Sequence, residues 1–243
     1  MAQLKGDEKA RYVARMFARI ARRYDMVNAV MTAGSHQRWR RRAAALVVAG
    51  AQRPPRSLAA LDVGAGTGDF ALALARRPEV GQVTALDLVP EMLRLAERKA
   101  QRAGLQERVR FLEGDALALP FPDASFDCVT TGFTLRNVAD VGRALEEMAR
   151  VTRPGGRLAV LEVFPVKGGP VAALVQLYFR RVVPLLGSLV AGDAEAYRYL
   201  QASIEGFYDM PGLARLMEAR GWTDVSWHPL ALGSVSIHLG TKP

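Results

Sequence analysis

The nine residues Leu61–Asp69, LDVGAGTGD, restrict the folds open to this chain more than any other stretch. Leu61 and Val63 close a strand-like run, Gly64, Gly66 and Gly68 turn it, and Phe70 opens an apolar helical pattern. A strand that turns on glycines into a helix brings backbone N–H groups and a helix N-terminus up to a ligand with no Cβ in the way. The spacing is GxGxG, and Asp69 stands where the dinucleotide fingerprint has its third glycine. A carboxylate there repels a pyrophosphate and favours a ligand that carries positive groups. Taken alone, the motif is equally a plain tight turn, so the case for a cofactor rests on its surroundings.

Those surroundings alternate strand and helix. Apolar strand patterns occupy 58–63, 82–87, 109–113, 126–131 and 157–163, and helical patterns 69–77, 90–103 and 140–150, with a turn at Thr152-Arg153-Pro154-Gly155-Gly156. Amphipathic helices are expected at 8–24 and about 36–50, and two closing strands at 222–228 and 234–240. The alternation predicts an α/β fold, a mostly parallel sheet with helices on both faces. One domain is expected over 1–243: a basic helical segment (1–52), a ligand-binding core (55–165), a helical insert (168–220) and a closing hairpin (222–243). The insert is long enough to cover the carboxyl edge of the sheet, where open α/β sheets bind ligands.

Charge is unevenly placed. Residues 1–56 carry 13 Lys and Arg against 3 Asp and Glu, a net of +10, while residues 57–243 carry 20 against 21. Arg11, Arg15, Arg19 and Arg22 form a stripe opposite the apolar face of the first helix (Tyr12, Val13, Met16, Phe17, Ile20, Tyr24). Such a stripe is either a solvated face or one drawn to an anionic membrane. The single cysteine, Cys128, sits in an apolar strand pattern as a buried, inert thiol and suits a reducing compartment. Asp7 and Glu8 fall where a secretory signal needs apolar residues, and no uncharged apolar run is long enough to span a bilayer. A cytoplasmic protein is expected, with peripheral contact to the inner membrane face through the basic helix.

Two acidic groups follow the glycine turn at strand ends. Asp87 ends the second strand, where a carboxylate accepts both ribose hydroxyls of a nucleoside; its other reading is a cap on the helix at Pro90. Asp115, in EGDA, is placed either to accept from an adenine amino group or to close a turn. Thr67 adds a hydroxyl in the glycine turn itself. Together with Asp69 these point to S-adenosylmethionine (SAM), whose ammonium and sulfonium are positive. No metal is expected.

LDVGAGTGD, ALD, EGDALALPFPDASFDCV and RVTRPGGRLAVLE together resemble the class I SAM-dependent methyltransferases, whose sheet has seven strands and a reversed final hairpin. A narrower resemblance lies outside that core. Tyr24-Asp25-Met26-Val27-Asn28 with Gly34-Ser35-His36 and Trp39, the segment Gly132–Val138 (GFTLRNV), Tyr199–Ile204 (YLQASI) and the final strand Ser236–Pro243 resemble the ubiquinone/menaquinone biosynthesis C-methyltransferases. That resemblance implies SAM contacts at Thr67, Asp87, Leu88, Asp115 and Ala116, alongside Gly64, Gly66, Gly68, Asp69 and Gly132. Gly132 stands where the family often has a serine, so one hydroxyl contact is missing, and Thr134 replaces a usual glycine.

The implied reaction is methylation of a ring carbon on a polyprenylated quinol, demethylmenaquinol foremost, with a benzoquinol precursor of ubiquinone as the alternative. A ring carbon is a weak nucleophile until an adjacent hydroxyl loses its proton, so the site needs a base or donors for a phenolate-like oxygen. His36 is either that base or a helix-start histidine pairing with Asp25 or Asn28. Arg136 and Asn137, just past the fourth strand, either stabilise the quinolate or form a structural ion pair at the strand end. The apolar residues between Val171 and Leu186, Leu177 among them, either line a prenyl channel or pack as a buried helix pair.

Other readings are a SAM enzyme acting on nucleic acid, disfavoured by the confinement of the basic excess to one segment; a non-catalytic subunit of a quinone-biosynthetic assembly; and an NAD enzyme, disfavoured by Asp69. No nucleic-acid partner is expected, and a homodimer is left open.

Overall fold

The computed structural model describes residues 6–49, 56–166, 177 and 194–243. The expected linker at Gln52–Pro55 and most of the expected apolar channel, including Val171, Leu174, Tyr178, Phe179 and Leu186, lie outside the described residues; Leu177 is described and exposed.

Seven strands form one sheet: β1 (Leu58–Val63), β2 (Val80–Asp87), β3 (Val109–Glu113), β4 (Phe126–Gly132), β5 (Thr152–Val163), β6 (Thr223–Leu230) and β7 (Val235–Thr241). Their order is β3-β2-β1-β4-β5-β7-β6. The pairs among β1 to β5 are parallel, and β7 runs antiparallel to both β5 and β6. The helices are α1 (Gly6–Thr32), α2 (Ser35–Val48), α3 (Asp69–Ala75), α4 (Pro90–Arg102), α5 (Val141–Val151), α6 (Ala194–Glu205) and α7 (Met210–Ala219).

The central strands read as continuous apolar runs because both faces are covered. Successive residues go to opposite sides. Ala60, Cys128, Ala159 and Leu161 pack under α2 and α3 with Ala44, Val47, Phe70 and Leu74. Leu61, Val129, Leu158 and Val160 pack under α5 and α7 with Leu145, Met148, Leu213 and Met217. Trp222, fully buried, closes the second layer. A third, small cluster joins Ala21, Phe17 and Tyr24 of α1 to Val89 and Met92 at the start of α4, laying α1 across the carboxyl ends of the strands.

Three expectations change. The first helix does not end at 24 but runs on to Thr32, carrying the Tyr24–Asn28 motif within it. No glycine or proline interrupts residues 7–33, and the chain turns only where Ala33 and Gly34 adopt positive φ, with Gly34 N–H returning to the Ala29 carbonyl. Thr152–Gly156 is no free turn; it belongs to β5 as an irregular stretch between the pairs Phe126–Thr152 and Cys128–Arg157. Gly155 N–H donates to the Lys242 carbonyl and Lys242 N–H to Gly156, so the glycines are paired to the last strand. The closing strands are shifted to Thr223–Leu230 and Val235–Thr241.

Candidate active site

The glycine turn sits at the carboxyl end of β1, at the centre of the sheet. Gly64, Gly66 and Gly68 have φ of 69°, 55° and 82°, a region that costs glycine little and other residues more. Gly64 and Ala65 donate their N–H groups to the Leu86 carbonyl at 2.8 and 3.0 Å, tying the turn to β2. A Cβ on Gly64 would lie 2.3 Å from Cγ2 of Thr134. Thr134 in turn donates its hydroxyl to the Gly64 carbonyl at 3.1 Å. The threonine that stands in place of a usual glycine therefore clasps the turn to the loop after β4. At Gly132 a Cβ would lie 2.9 Å from the Phe70 ring, so the room of the missing serine is taken by Phe70.

Asp87, at the end of β2, accepts from Gly66 N–H (2.7 Å) and Val89 N–H (2.8 Å). It braces the turn and the approach to α4, whose own N-cap is Val89. Burial pushes its carboxyl above the ordinary range although these amides oppose the rise. Asp115 folds back on Leu117 N–H at 2.9 Å. Gly64, Gly66, Asp87, Leu88, Asp115, Ala116, Gly132 and Asn137 line one narrow cavity, walled on its other side by Val13, Ala14 and Phe17 of α1.

Thr67, Gly68 and Asp69 stand outside that cavity's lining. Thr67 donates to Asp25 of α1 at 2.6 Å, and Lys99 of α4 reaches Thr67 (3.0 Å), Asp25 (2.6 Å) and Asp69 (2.7 Å). Gln37 donates to the other Asp69 oxygen at 2.7 Å, with Arg40 at 3.8 Å. The expectation that Asp69 presents an open negative charge to a ligand is thereby corrected: its carboxylate is turned to α2 and α4 and neutralised there. Burial works to raise its pKa, but Lys99 and Arg40 outweigh this and hold the carboxyl below its usual range. Thr67 and Asp69 instead flank a small polar cavity of about 20 Å³ that Arg40 and Asp62 also line. Gly68 makes room for α4, where a Cβ would lie 2.8 Å from that of Ala96.

A second cavity, about 880 Å³, opens between α1, α2, α6 and the loop after β4. Phe133 and Asn137 line both this cavity and the narrow one, so the two share a wall. Phe133 holds a left-handed φ of 61°, a strained setting for an aromatic residue at a junction between two sites. His36, almost wholly buried, also lines the larger cavity. Its Nδ1 is 2.7 Å from the Thr32 hydroxyl, which itself donates to the Asn28 carbonyl at 2.7 Å. The threonine oxygen must then accept from Nδ1–H, which leaves the lone pair on Nε2. Burial, then the Arg40 charge, lowers the His36 pKa and keeps the ring neutral near pH 7. Its partner is thus Thr32 rather than Asp25 or Asn28.

Arg136 pairs with Glu162 of β5, a carboxylate with no exposed surface, and donates from Nη1 to the Phe133 carbonyl at 2.8 Å. Asn137 donates from Nδ2 to the same carbonyl at 3.0 Å. Lys9 caps the loop from above, donating to the carbonyls of Arg136 (3.1 Å) and Val138 (2.7 Å). Sequence reasoning missed Glu162, Lys9, Lys99 and Arg40. Only Glu162 carried a local signal, as the one charge in the apolar run LAVLEV.

Residues 4–242 match the ubiE/COQ5 methyltransferase family. A demethylmenaquinone methyltransferase of Thermus thermophilus is 46% identical over 228 residues, covering 94% of this chain and all of that protein. The ubiquinone/menaquinone biosynthesis C-methyltransferase UbiE of Escherichia coli is 38% identical over 237 residues, covering 97% of this chain and 92% of that protein. Among solved structures, a SAM-dependent methyltransferase of Thermotoga maritima shares the fold with a TM-score of 0.61 at 20% identity, covering 95% of this chain and all of that one. The [4+2]-cyclase SpnF superposes as well, with a TM-score of 0.61 at 22% identity over 95% of this chain and 96% of its own. The seven-stranded architecture therefore hosts more than one chemistry, and the site has to carry the assignment.

Proposed function

Because the chain belongs to the ubiE/COQ5 methyltransferase family, we propose that it methylates a ring carbon of a polyprenylated quinol, demethylmenaquinol, with SAM as methyl donor. That it is a SAM-dependent methyltransferase of quinone biosynthesis follows from the family, its relatives and the fold. The observation that carries the substrate reading is the pair of cavities meeting at Phe133 and Asn137, one nucleoside-like in its lining and the other large and apolar.

The residues present fit SAM. Asp87 and Asp115 offer carboxylates to ribose and adenine, Ala116, Leu88 and Met92 supply apolar walls, and Gly64 and Gly66 leave backbone bare of Cβ. Buried Arg40 Nη1 and Asp62 Oδ2 make no hydrogen bond and lie at the small cavity beside the turn, a cation and a carboxyl suited to an amino-acid end. When bound, SAM supplies an electrophilic methyl on sulfur.

The chain's own residues then do three things. His36 Nε2 takes the proton of a ring hydroxyl, which pushes electron density onto the adjacent ring carbon. Arg136 is neutralised by Glu162, so what it offers the ring's other oxygen, the one His36 does not deprotonate, is a fixed N–H rather than a bare cation. Asn137 and Phe133, shared by both cavities, hold ring and donor in line. The ring carbon that gains the methyl then releases its proton to solvent, restoring aromaticity, and the phenolate oxygen recovers the proton held on His36 Nε2. The described helices of the expected insert, α6 and α7, are proposed as part of the cover of this substrate.

Membrane contact belongs to the same reading. On the outer side of α1 the exposed stripe Arg11, Arg15, Arg19 and Arg22 continues at helical spacing into exposed Met26 and Val30. Val30 and the exposed Leu232 both line the larger cavity. A basic stripe running into an apolar mouth suits an anionic bilayer that delivers a greasy tail. Among the described residues no helix is long and apolar enough to cross a membrane.

Deleting the gene in its host and weighing the accumulated quinone tests the function. A naphthoquinone lighter by one methyl is expected; a benzoquinone lighter by one methyl names the other ring, and an unchanged quinone pool overturns the proposal.

A further inference from the structure

Among the described residues, three buried side-chain atoms without a hydrogen-bond partner belong to residues lining the 880 Å³ cavity: Arg136 Nε, Asn137 Oδ1 and Tyr199 Oη. Folded proteins leave few such groups, because each forgoes a hydrogen bond that water would have supplied. They come from two elements, Arg136 and Asn137 from the loop after β4 and Tyr199 from the helix α6, and all three residues line the same space.

Their chemical types are complementary. Arg136 Nε–H only donates. Asn137 Oδ1 only accepts, and its orientation is settled by the network: Nδ2 is spent on the Phe133 carbonyl, which can only accept. Tyr199 Oη can donate. Its ring packs against Tyr12 with centroids 5.7 Å apart, and the Tyr12 hydroxyl is already given to Glu195 at 2.8 Å.

We propose that Tyr199 is a substrate-binding residue which, with Arg136 and Asn137, reads a phenolic hydroxyl and so admits the reduced ring in preference to the oxidised one. One hydroxyl of the diol accepts from Tyr199 and Arg136 while donating to Asn137, satisfying all three, and the other is left for His36 to deprotonate. A quinone carbonyl carries only lone pairs. It leaves Asn137 Oδ1 facing another acceptor, buried and unpaired. The discrimination selects the same redox state whose ring carbon can attack an electrophile. Burial pushes the Tyr199 phenol up to about 12, so it remains a donor throughout the working range.

The inference rests on the larger cavity being the ring site, and the test separates the two. Binding of 1,4-naphthalenediol, 1,4-naphthoquinone and naphthalene is measured anaerobically in the presence of S-adenosylhomocysteine, by quenching of Trp39, which lines the cavity. The unaltered protein is expected to prefer the diol to the dione by ~10-fold, the worth of about one hydrogen bond. Tyr199→Phe keeps the ring and loses the hydroxyl. It is expected to weaken the diol ~10-fold and to leave naphthalene and S-adenosylhomocysteine unchanged. Asn137→Leu removes the acceptor that faces the dione and is expected to bring the two affinities together. A Tyr199→Phe protein that binds the diol as the unaltered protein does, or an Asn137→Leu protein that keeps the preference, overturns the proposal. Ser203→Trp, which narrows the cavity, is expected to weaken binding of all three ring probes; unaffected binding there overturns the cavity reading itself.

Discussion

Arg136 has two tasks that a single substitution cannot separate. It holds a buried Glu162 in a neutral pair, and in the proposed site its unpartnered Nε donates to the ring hydroxyl. Arg136→Ala is expected to stop turnover and to destabilise the fold by about 3–5 kcal/mol, because Glu162 is left charged and alone. The pairing Arg136→Met with Glu162→Gln should recover much of the melting temperature without recovering turnover. A double variant that regains both would leave Arg136 a purely structural role. His36 makes a sharper prediction. Its pKa lies below the ordinary 6.5, and in the proposed mechanism the neutral ring is the active form. Activity is therefore flat above pH 6.5 and falls as pH drops through the lowered value. His36→Gln should cut kcat by ~10²-fold and erase that acid limb; a limb that persists in the variant assigns the base elsewhere. The candidates themselves were legible in the sequence, because a histidine and an Arg-Asn pair beside a strand end are unusual residue types there. Their partners were not. Glu162 is 26 residues from Arg136 and Lys9 is 127, and no periodicity links positions so far apart.

At the scale of elements, the strand–turn–helix unit at Leu61–Ala75 was legible because its code is local: an apolar strand, three glycines, an apolar helix. What could not be read was how the turn is held, since Thr134 reaches Gly64 across 70 residues. Gly64→Ala is expected to abolish SAM binding, from both the positive φ and the Thr134 overlap. Adding Thr134→Gly relieves only the overlap and should restore affinity in part. Calorimetry that finds Gly64→Ala binding SAM normally would contradict the clasp. The end of α1 was misjudged for a related reason. The apolar face was traced only as far as Tyr24, but Asp25 faces Thr67 and Lys99 from within a continuous helix. A second element-level consequence concerns β7. His238 is fully buried and donates to the Met210 carbonyl at the head of α7 at 3.0 Å. Burial lowers its pKa to about 4, only partly opposed by that carbonyl. The unfolded chain thus binds a proton that the folded one refuses. The resulting stability is complete above pH 6.5 and is lost as pH falls toward 4, ~3 kcal/mol in all. His238→Leu should flatten that part of the stability curve; an unchanged slope would place the acid sensitivity in other groups.

For the whole molecule, the fold class was legible in the alternation of strand and helix and in the apolar runs of the central strands. The cavities were not, because they form where α1, α2 and α6 meet over the sheet edge rather than within any one segment. The charge asymmetry acquires a direction from this arrangement: the basic stripe of α1 leads to the mouth at Val30 and Leu232. Sedimentation with anionic vesicles should show binding at low salt that weakens as salt screens the arginines, and Val30→Asp with Leu232→Asp should reduce it further. No binding at low salt would contradict membrane docking while leaving the chemistry untouched. The chemistry itself is tested most directly by one anaerobic assay. Purified protein, SAM and a short-tail demethylmenaquinol held reduced are incubated, and the product is weighed and its methyl located by fragmentation. The account predicts one added methyl, on a ring carbon, and none when the same ring is supplied oxidised; no transfer to the reduced ring, or a methyl found on oxygen, would contradict it.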